Sequence, residues 1–154
     1  MNISFALLNE SDVCGLVGPM KRAFDDDAQR FAGKEKGGPS GYDDGSFLIN
    51  WGINNNESTS YKIIVDDNSV GAFIIWWDAN GESIFGSIFV DPIFQNKGIG
   101  KKAWDFIEAN FPTKSWKIET PIWAIRNHHF YEKSCGFKNN GVVGDQIVYK
   151  KKYE

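Results

Sequence analysis

A chain of 154 residues with 42% hydrophobic and 15% aromatic side chains can build one domain with a sizeable core, and is too aromatic to be disordered. Its formal charge of −3 argues against a general nucleic-acid binder, which needs a basic stripe; the only basic run, 150–152, reads as a solvated strand end. Cys14 and Cys135 make no disulfide framework or C-x-x-C pair, and no apolar run approaches the ~20 residues of a membrane helix, so a soluble, cytoplasmic protein without membrane partners is expected.

Residues 3–8 read as a short strand. Ser11 and Asp12 offer N-caps to a helical region reaching about Phe31, which should break near Pro19. Residues 34–45, ending in GGPSGYDDG, are irregular chain, and 47–53 form a short helix capped by Asp44 or Ser46. Three apolar runs follow: YKIIV (61–65), VGAFIIWW (70–77) and SIFGSIFV (83–90). Turn signals at Asp67-Asn68 and Asn80-Gly81 separate them, which predicts an antiparallel meander. The period then changes, with Ile99, Ala103, Phe106 and Ile107 at helical spacing and Pro112 marking the end. Residues 116–119 suit a strand, 127–134 a short helix stopped by Gly136, and 147–151 a last strand. Repeats, low-complexity tracts and a second domain are absent from this pattern, so 1–154 is read as one domain.

Gly98 and Gly100 lie among Lys97, Lys101 and Lys102 at the start of the 99–110 helix. A helix start presents unpaired N–H groups and a positive dipole end, and glycines let a loop curl those groups onto an anion. The same glycines could instead shape a surface turn. A Walker loop fails, because Lys102 follows Gly100-Lys101 and Gln95 fills the first-glycine position. The dinucleotide pattern fits Gly98, Gly100 and Ala103, with Glu119 near the place of its ribose-binding acid. Against it, residues 91–97 separate strand from glycine, and too little chain follows for a doubly wound sheet.

The flanking residues carry more. V-D-P-x-F-Q-N-K-G-I-G-K-K-A resembles the acetyl-CoA signature of the GNAT superfamily of N-acetyltransferases, Q/R-x-x-G-x-G/A, through Gln95, Gly98 and Gly100. RNHHFYEKSCGF (126–137) is similar to that family's C-terminal motif, N…FYEK-x-GF, one residue longer than its commonest form. The resemblance implies an α+β fold with a mixed, mostly antiparallel twisted sheet flanked by helices. It implies acetyl-CoA wedged between splayed strands 83–90 and 116–120. Main-chain groups of Ile88, Phe89 and Val90 would pair with the pantetheine arm, and amides from Lys97 through Gly98, Ile99 and Gly100 to Lys101 would hold the diphosphate. Gln95, Asn96 and Asn127 complete the cofactor-binding set, with Gln95 shaping the loop.

For chemistry the resemblance puts Tyr131 beside the thioester sulfur. A phenol of pKa about 10 can protonate a departing thiolate of pKa about 8.5. The alternative for Tyr131 is a core aromatic. Candidates for the general base are Glu82, Glu119, the run Asp25-Asp26-Asp27 and a water chain ending on any of them, with Glu119 preferred because its strand is expected to border the cleft. His128 and His129 are adjacent on a helix and make a poor metal pair, so no metal is expected; Cys135 reads as a small buried filler. Residues 24–27 and 37–45, with Trp51, Trp76 and Trp77 as walls, would face a small-molecule or peptide amine; the acids either draw in a cation or merely keep the protein soluble. A homodimer is compatible with this reading. The leading function is acetyl transfer to a primary amine by direct attack in a ternary complex, the alternatives a non-catalytic acyl-CoA binder and a nucleotide-dependent oxidoreductase.

Overall fold

The computed structural model describes Met1–Glu154. Strands β1 (Ile3–Leu7), β2 (Thr59–Val65), β3 (Asn68–Trp76), β4 (Glu82–Val90), β5 (Ser115–Pro121), β6 (Lys138–Val143) and β7 (Gln146–Lys152) form one sheet in the order β1-β2-β3-β4-β5-β7-β6. Every neighbouring pair is antiparallel except β4 and β5. Parallel strands need a crossover, and α2 (Ile99–Asn110) supplies it. A sheet with a single parallel pair is not doubly wound, so the fold that the dinucleotide reading requires is absent.

β3 is apolar at nearly every position because both its faces are covered. Phe73 and Ile75 point to one side, where Ile99, Ala103, Trp104 and Ile107 of α2 complete a core with Phe85, Trp116 and Tyr131. Ala72 and Ile74 point to the other, against Leu16, Met20 and Ala23 of α1 (Glu10–Asp27). No helix is long and apolar enough to cross a membrane.

Three local expectations need correction. α1 begins at Glu10 with Asn9 as its cap, whose N–H donates to Asp12 Oδ2 at 2.8 Å. It runs through Pro19 without a break and continues into a wide turn over Ala28–Ala32. A proline inside a helix costs ~3 kcal/mol, and burying Leu16 and Met20 at ~1.5–3 kcal/mol each offsets it. The β2–β3 turn is centred on Asp66 and Asp67, both left-handed with φ of 48° and 71°, so Asn68 belongs to the strand. β6 was not expected at all.

The feature that positions the site is the parting of β4 and β5. They pair only at Glu82↔Ser115, Ser83↔Trp116 and Ile84↔Lys117, then diverge. Opposite β3 the register jumps from Ile75↔Phe85 to Ile74↔Ser87, leaving Gly86 as the extra residue of a bulge. Bulges bend the strand that carries them, so β4 turns away from β5 just beyond their last pair. Only glycine fits there, since a Cβ on Gly86 would stand 2.2 Å from the Trp76 ring and 3.1 Å from the Ile74 carbonyl.

Gly86→Ala should therefore lower the unfolding free energy by ~1–3 kcal/mol in urea titrations, the cost of overpacking. An unchanged midpoint would show that Trp76 yields freely.

Candidate active site

The outer edge of β4 is the first wall of the cleft. Asp91 N–H donates to Val70 O of the β3 side at 2.8 Å. Alternation along an antiparallel strand then turns the main-chain groups of Ile88 and Val90 the other way, into the gap left by β5. Gln95 Nε2 donates to Val90 O at 3.0 Å, so the Gln95 side chain closes the loop after β4. Phe89 differs from expectation: its main chain faces Ala72 on β3, and its ring is buried on the α1 side.

The second wall is the start of α2. Asp91 holds Arg22 Nη2 at 2.6 Å and opens a 3-10 turn over Pro92–Phe94. Asn96 and Gly98 then take left-handed φ of 60° and 78°, which curls the chain into the helix. The first intrahelical bond is Lys102 N–H to Gly98 O at 3.1 Å. The amides of Gly98, Ile99, Gly100 and Lys101 thus lack an intrahelical acceptor and sit at the positive pole of the helix. A Cβ on Gly100 would lie 3.1 Å from the Phe130 ring, so glycine keeps this approach open. Lys97 is exposed and outside the cleft, and Lys101 lines it while ion-paired to Asp105. The cradle's charge comes chiefly from the main chain.

Between these walls, the end of α1 and α3 (Ile125–His129, continued by a wide turn over Phe130–Ser134) lies a cleft of about 580 Å³. Asn127 lines it and donates to Thr120 Oγ1 at 3.3 Å. Arg126 crosses it. Its guanidinium lies 3.2 Å from Asp26 and 3.3 Å from Asp27, donates to Gln95 Oε1, and stands 5.7 Å above the Phe31 ring. Sequence reasoning did not single out Arg126; its place directly before Asn127 and opposite an unbalanced acidic run was the available signal.

Tyr131 lies one helical step from the lining residue Phe130, but its ring is 4% exposed, packs against Phe85 and Phe130, and does not line the cleft. Burial pushes its phenol well above the ordinary value, with the charges of Cys135 and Asp27 adding to the effect. Burial likewise raises the Cys135 thiol to about 12. His128 Nε2 meets Pro121 O at 2.8 Å, whereas His129 lines the cleft.

Glu119 is corrected. Trp116, Ile118 and Thr120 of β5 are buried, which leaves Glu119 on the opposite face, with a half-exposed side chain 3.4 Å from Lys117 and outside the cleft. The acceptor-side expectation holds only in part: Phe24 and Asp27 line the cleft, Trp51, Trp76 and Trp77 do not, and the 37–45 loop is anchored elsewhere. Asp25 Oδ1 accepts from Tyr42 Oη at 2.5 Å and from Gly37 N–H at 3.2 Å, and Lys21 Nζ lies 2.5 Å from Oδ2. Burial alone would raise the Asp25 pKa, but these hydrogen bonds from Lys21, Tyr42 and Gly37 together hold it below its ordinary value.

Residues 22–137 match the Acetyltransferase (GNAT) family. The uncharacterized protein YrkN of Bacillus subtilis (strain 168) is 36% identical over 81 residues, which cover 50% of this chain and 43% of that protein, less than half of its length. Among solved structures, the PaiA N-acetyltransferase of Thermoplasma acidophilum in complex with coenzyme A aligns with a TM-score of 0.78 at 17% identity, over 99% of this chain and 100% of that one. An acetyltransferase of Thermus thermophilus aligns with a TM-score of 0.79 at 13% identity over 99% and 98%. The spermidine N-acetyltransferase of Vibrio cholerae, in complex with CoA and spermine, aligns with a TM-score of 0.62 at 16% identity over 96% and 92%. At these identities the likeness speaks to the fold.

Tyr42→Phe should cost ~1.5–3 kcal/mol of stability at pH 7, the worth of a hydrogen bond to a charged group. Because the folded Asp25 pKa is depressed, that deficit is full above the ordinary carboxylate range and shrinks as pH falls below about 4. Urea titrations at both pH values check it; a deficit independent of pH would contradict the assignment.

Proposed function

The chain belongs to the Acetyltransferase (GNAT) family, and we propose that it is an acetyl-CoA-dependent acyltransferase whose acceptor is a primary amine of a small molecule or peptide, reacting by direct attack in a ternary complex. The observation that carries this reading is the juxtaposition of unpaired α2 amides with the open edge of β4.

These residues fit the coenzyme. A diphosphate suits the amides of Gly98, Ile99, Gly100 and Lys101 at the positive end of α2. The alternating amide groups of a pantetheine arm suit the outward main chain of Ile88 and Val90, much as an added strand would. A side chain at Gly100 would crowd this space. Acetyl-CoA supplies an acetyl group activated as a thioester. Asn96 and Asn127 line the same cleft, and Gln95 holds the loop in shape through Val90 O.

Tyr131 is the proposed proton donor at the departing sulfur. A phenol with the ordinary pKa of about 10 is protonated at pH 7 and can give that proton to a thiolate. The amine acceptor is supported by the likeness in fold to a spermidine N-acetyltransferase. One observation favours a second reading, a non-catalytic acyl-CoA binder: the Tyr131 ring lies outside the cleft lining.

Thiol release from acetyl-CoA, followed across a panel of amines, polyamines and peptides, separates the two. Tyr131→Phe should lower turnover by ~10²-fold or more and leave acetyl-CoA affinity unchanged by calorimetry. Wild-type turnover in that variant removes Tyr131 from the mechanism. A wild-type protein that binds acetyl-CoA and releases no thiol with any acceptor is the binder.

A further inference from the structure

The gap between β4 and β5 closes at their last pair, Ile84↔Lys117. An acyl arm lying along Ile88 and Val90 therefore brings its reacting end down to the level of residues 85–86. The position of Tyr131 agrees, since its ring centroid lies 6.0 Å from that of Phe85. Gly86 is exposed at this level.

Just below, on the face of the sheet away from α2, lies a second concavity. Phe85 is buried on the α2 side, so by alternation Glu82, Ile84 and Gly86 face the other way. Ile84 is 45% exposed there. Trp76, its partner on β3, packs against the α1 core and lies close against Gly86. With Trp77, Asp78, Glu82 and Glu57 these two residues line an open depression of about 590 Å³. Trp77 is fixed in it, because its Nε1 donates to Pro112 O at 2.9 Å and its ring meets Phe111 edge-on at 5.4 Å.

The floor of the depression is apolar and its rim is acidic. The lysines of this face are already engaged, Lys150 with Glu82 at 3.3 Å and Lys117 with Glu119 at 3.4 Å. Glu57 and Asp78 form no ion pair; Asp78 Oδ1 accepts only from Asn80 N–H at 3.0 Å. Two uncompensated negative charges thus stand beside two indoles. Carboxylates and indole faces both attract a cation, and the exposed Ile84 suits the hydrocarbon stem that carries it. Asp78 N–H donates to Ser83 Oγ at 2.8 Å, which sets the rim three to four strand residues from Gly86, or about 10–13 Å.

We propose that this depression is the outer half of the acceptor site: it holds a second cationic group of the acceptor, on an apolar stem, about 10–13 Å from the amine that takes the acetyl group. The proposal rests on the acetyltransferase reading above and adds a substrate class to it, a chain with a primary amine at one end and a cation at the other. The stem crosses Ile84 and Trp76, and the reacting amine turns into the gap beside Gly86.

The test compares linear diamines of increasing length with monoamines of matched length, by kcat/KM for thiol release from acetyl-CoA. Wild type should favour the diamine by ~10-fold once the chain can set its nitrogens that far apart, and the preference should shrink at high salt. The double variant Glu57→Gln, Asp78→Asn should bring the ratio close to one through KM; the new amide at 78 can still accept from Asn80 N–H. Ile84→Lys, which sets a positive charge on the floor, should do the same. A second readout needs no turnover: titration with a long diamine should move the indole Nε1–H resonances of Trp76 and Trp77 in wild type and not in the double variant. Equal use of monoamines and diamines, a preference equally strong in the shortest diamines, or one that survives the double variant overturns the proposal and leaves the acetyltransferase reading intact. If the double variant fails to fold, unmoved indole resonances in wild type overturn it equally. A wild-type protein that does not bind acetyl-CoA defeats the acetyltransferase reading itself.

Discussion

An open strand edge inside a sheet is the constraint around which this molecule is built. β4 and β5 share three residue pairs and then separate, so the main chain of Ile88 and the Val90 N–H face a gap rather than a strand, with Val90 O met by Gln95 Nε2. Interior backbone groups without partners are unfavourable, and a collapse of β5 onto β4 would satisfy them. Gly86 prevents it. The bulge bends β4, and the Trp76 ring lies against the glycine where a Cβ would stand, so bend and packing sustain each other. The same bend carries the chain through Pro92–Phe94 to deliver the start of α2 beside the open edge. Strand donors and acceptors therefore sit next to a helix pole, and an extended ligand with an anionic end matches both at once.

Electrostatics in the cleft are arranged by main chain and ion pairs more than by free lysines. Lys101 is tied to Asp105 and Lys97 faces solvent, which leaves the α2 amides as the fixed positive feature. Arg126 joins three elements around the cleft: α1 through Asp26 and Asp27, the β4–α2 loop through Gln95, and α3 through its own backbone. Its reach explains why Gln95 is held so firmly, with Nε2 on Val90 O and Oε1 on the guanidinium. It also sets a positive charge beside the acids at the end of α1.

Much of this was legible in the sequence, for physical reasons that can be named. The meander showed because β2, β3 and β4 are apolar runs bounded by turn residues, and α2 showed because its buried residues recur at helical spacing. The glycine loop was legible because left-handed and close-approach positions admit few other residues. β6 was not, since all its residues are exposed and Gly141 interrupts it, so neither period nor apolarity marks it. That Glu119 lies outside the cleft was not legible, since which face of β5 a side chain takes depends on register, and which aspartate of a run enters a cleft depends on the helix phase. Arg126 escaped because its partner Asp26 lies 100 positions away along the chain.

The central claim is that the main-chain amides opening α2 grip the diphosphate of a coenzyme. Backbone amide NMR reads those groups directly. Titration with CoA should move the resonances of Gly98, Ile99, Gly100 and Lys101 most, and titration with pantetheine, which has no diphosphate, should move Ile88 and Val90 while leaving the helix start in place. If CoA binds and the α2 amides stay where they were, the claim is contradicted.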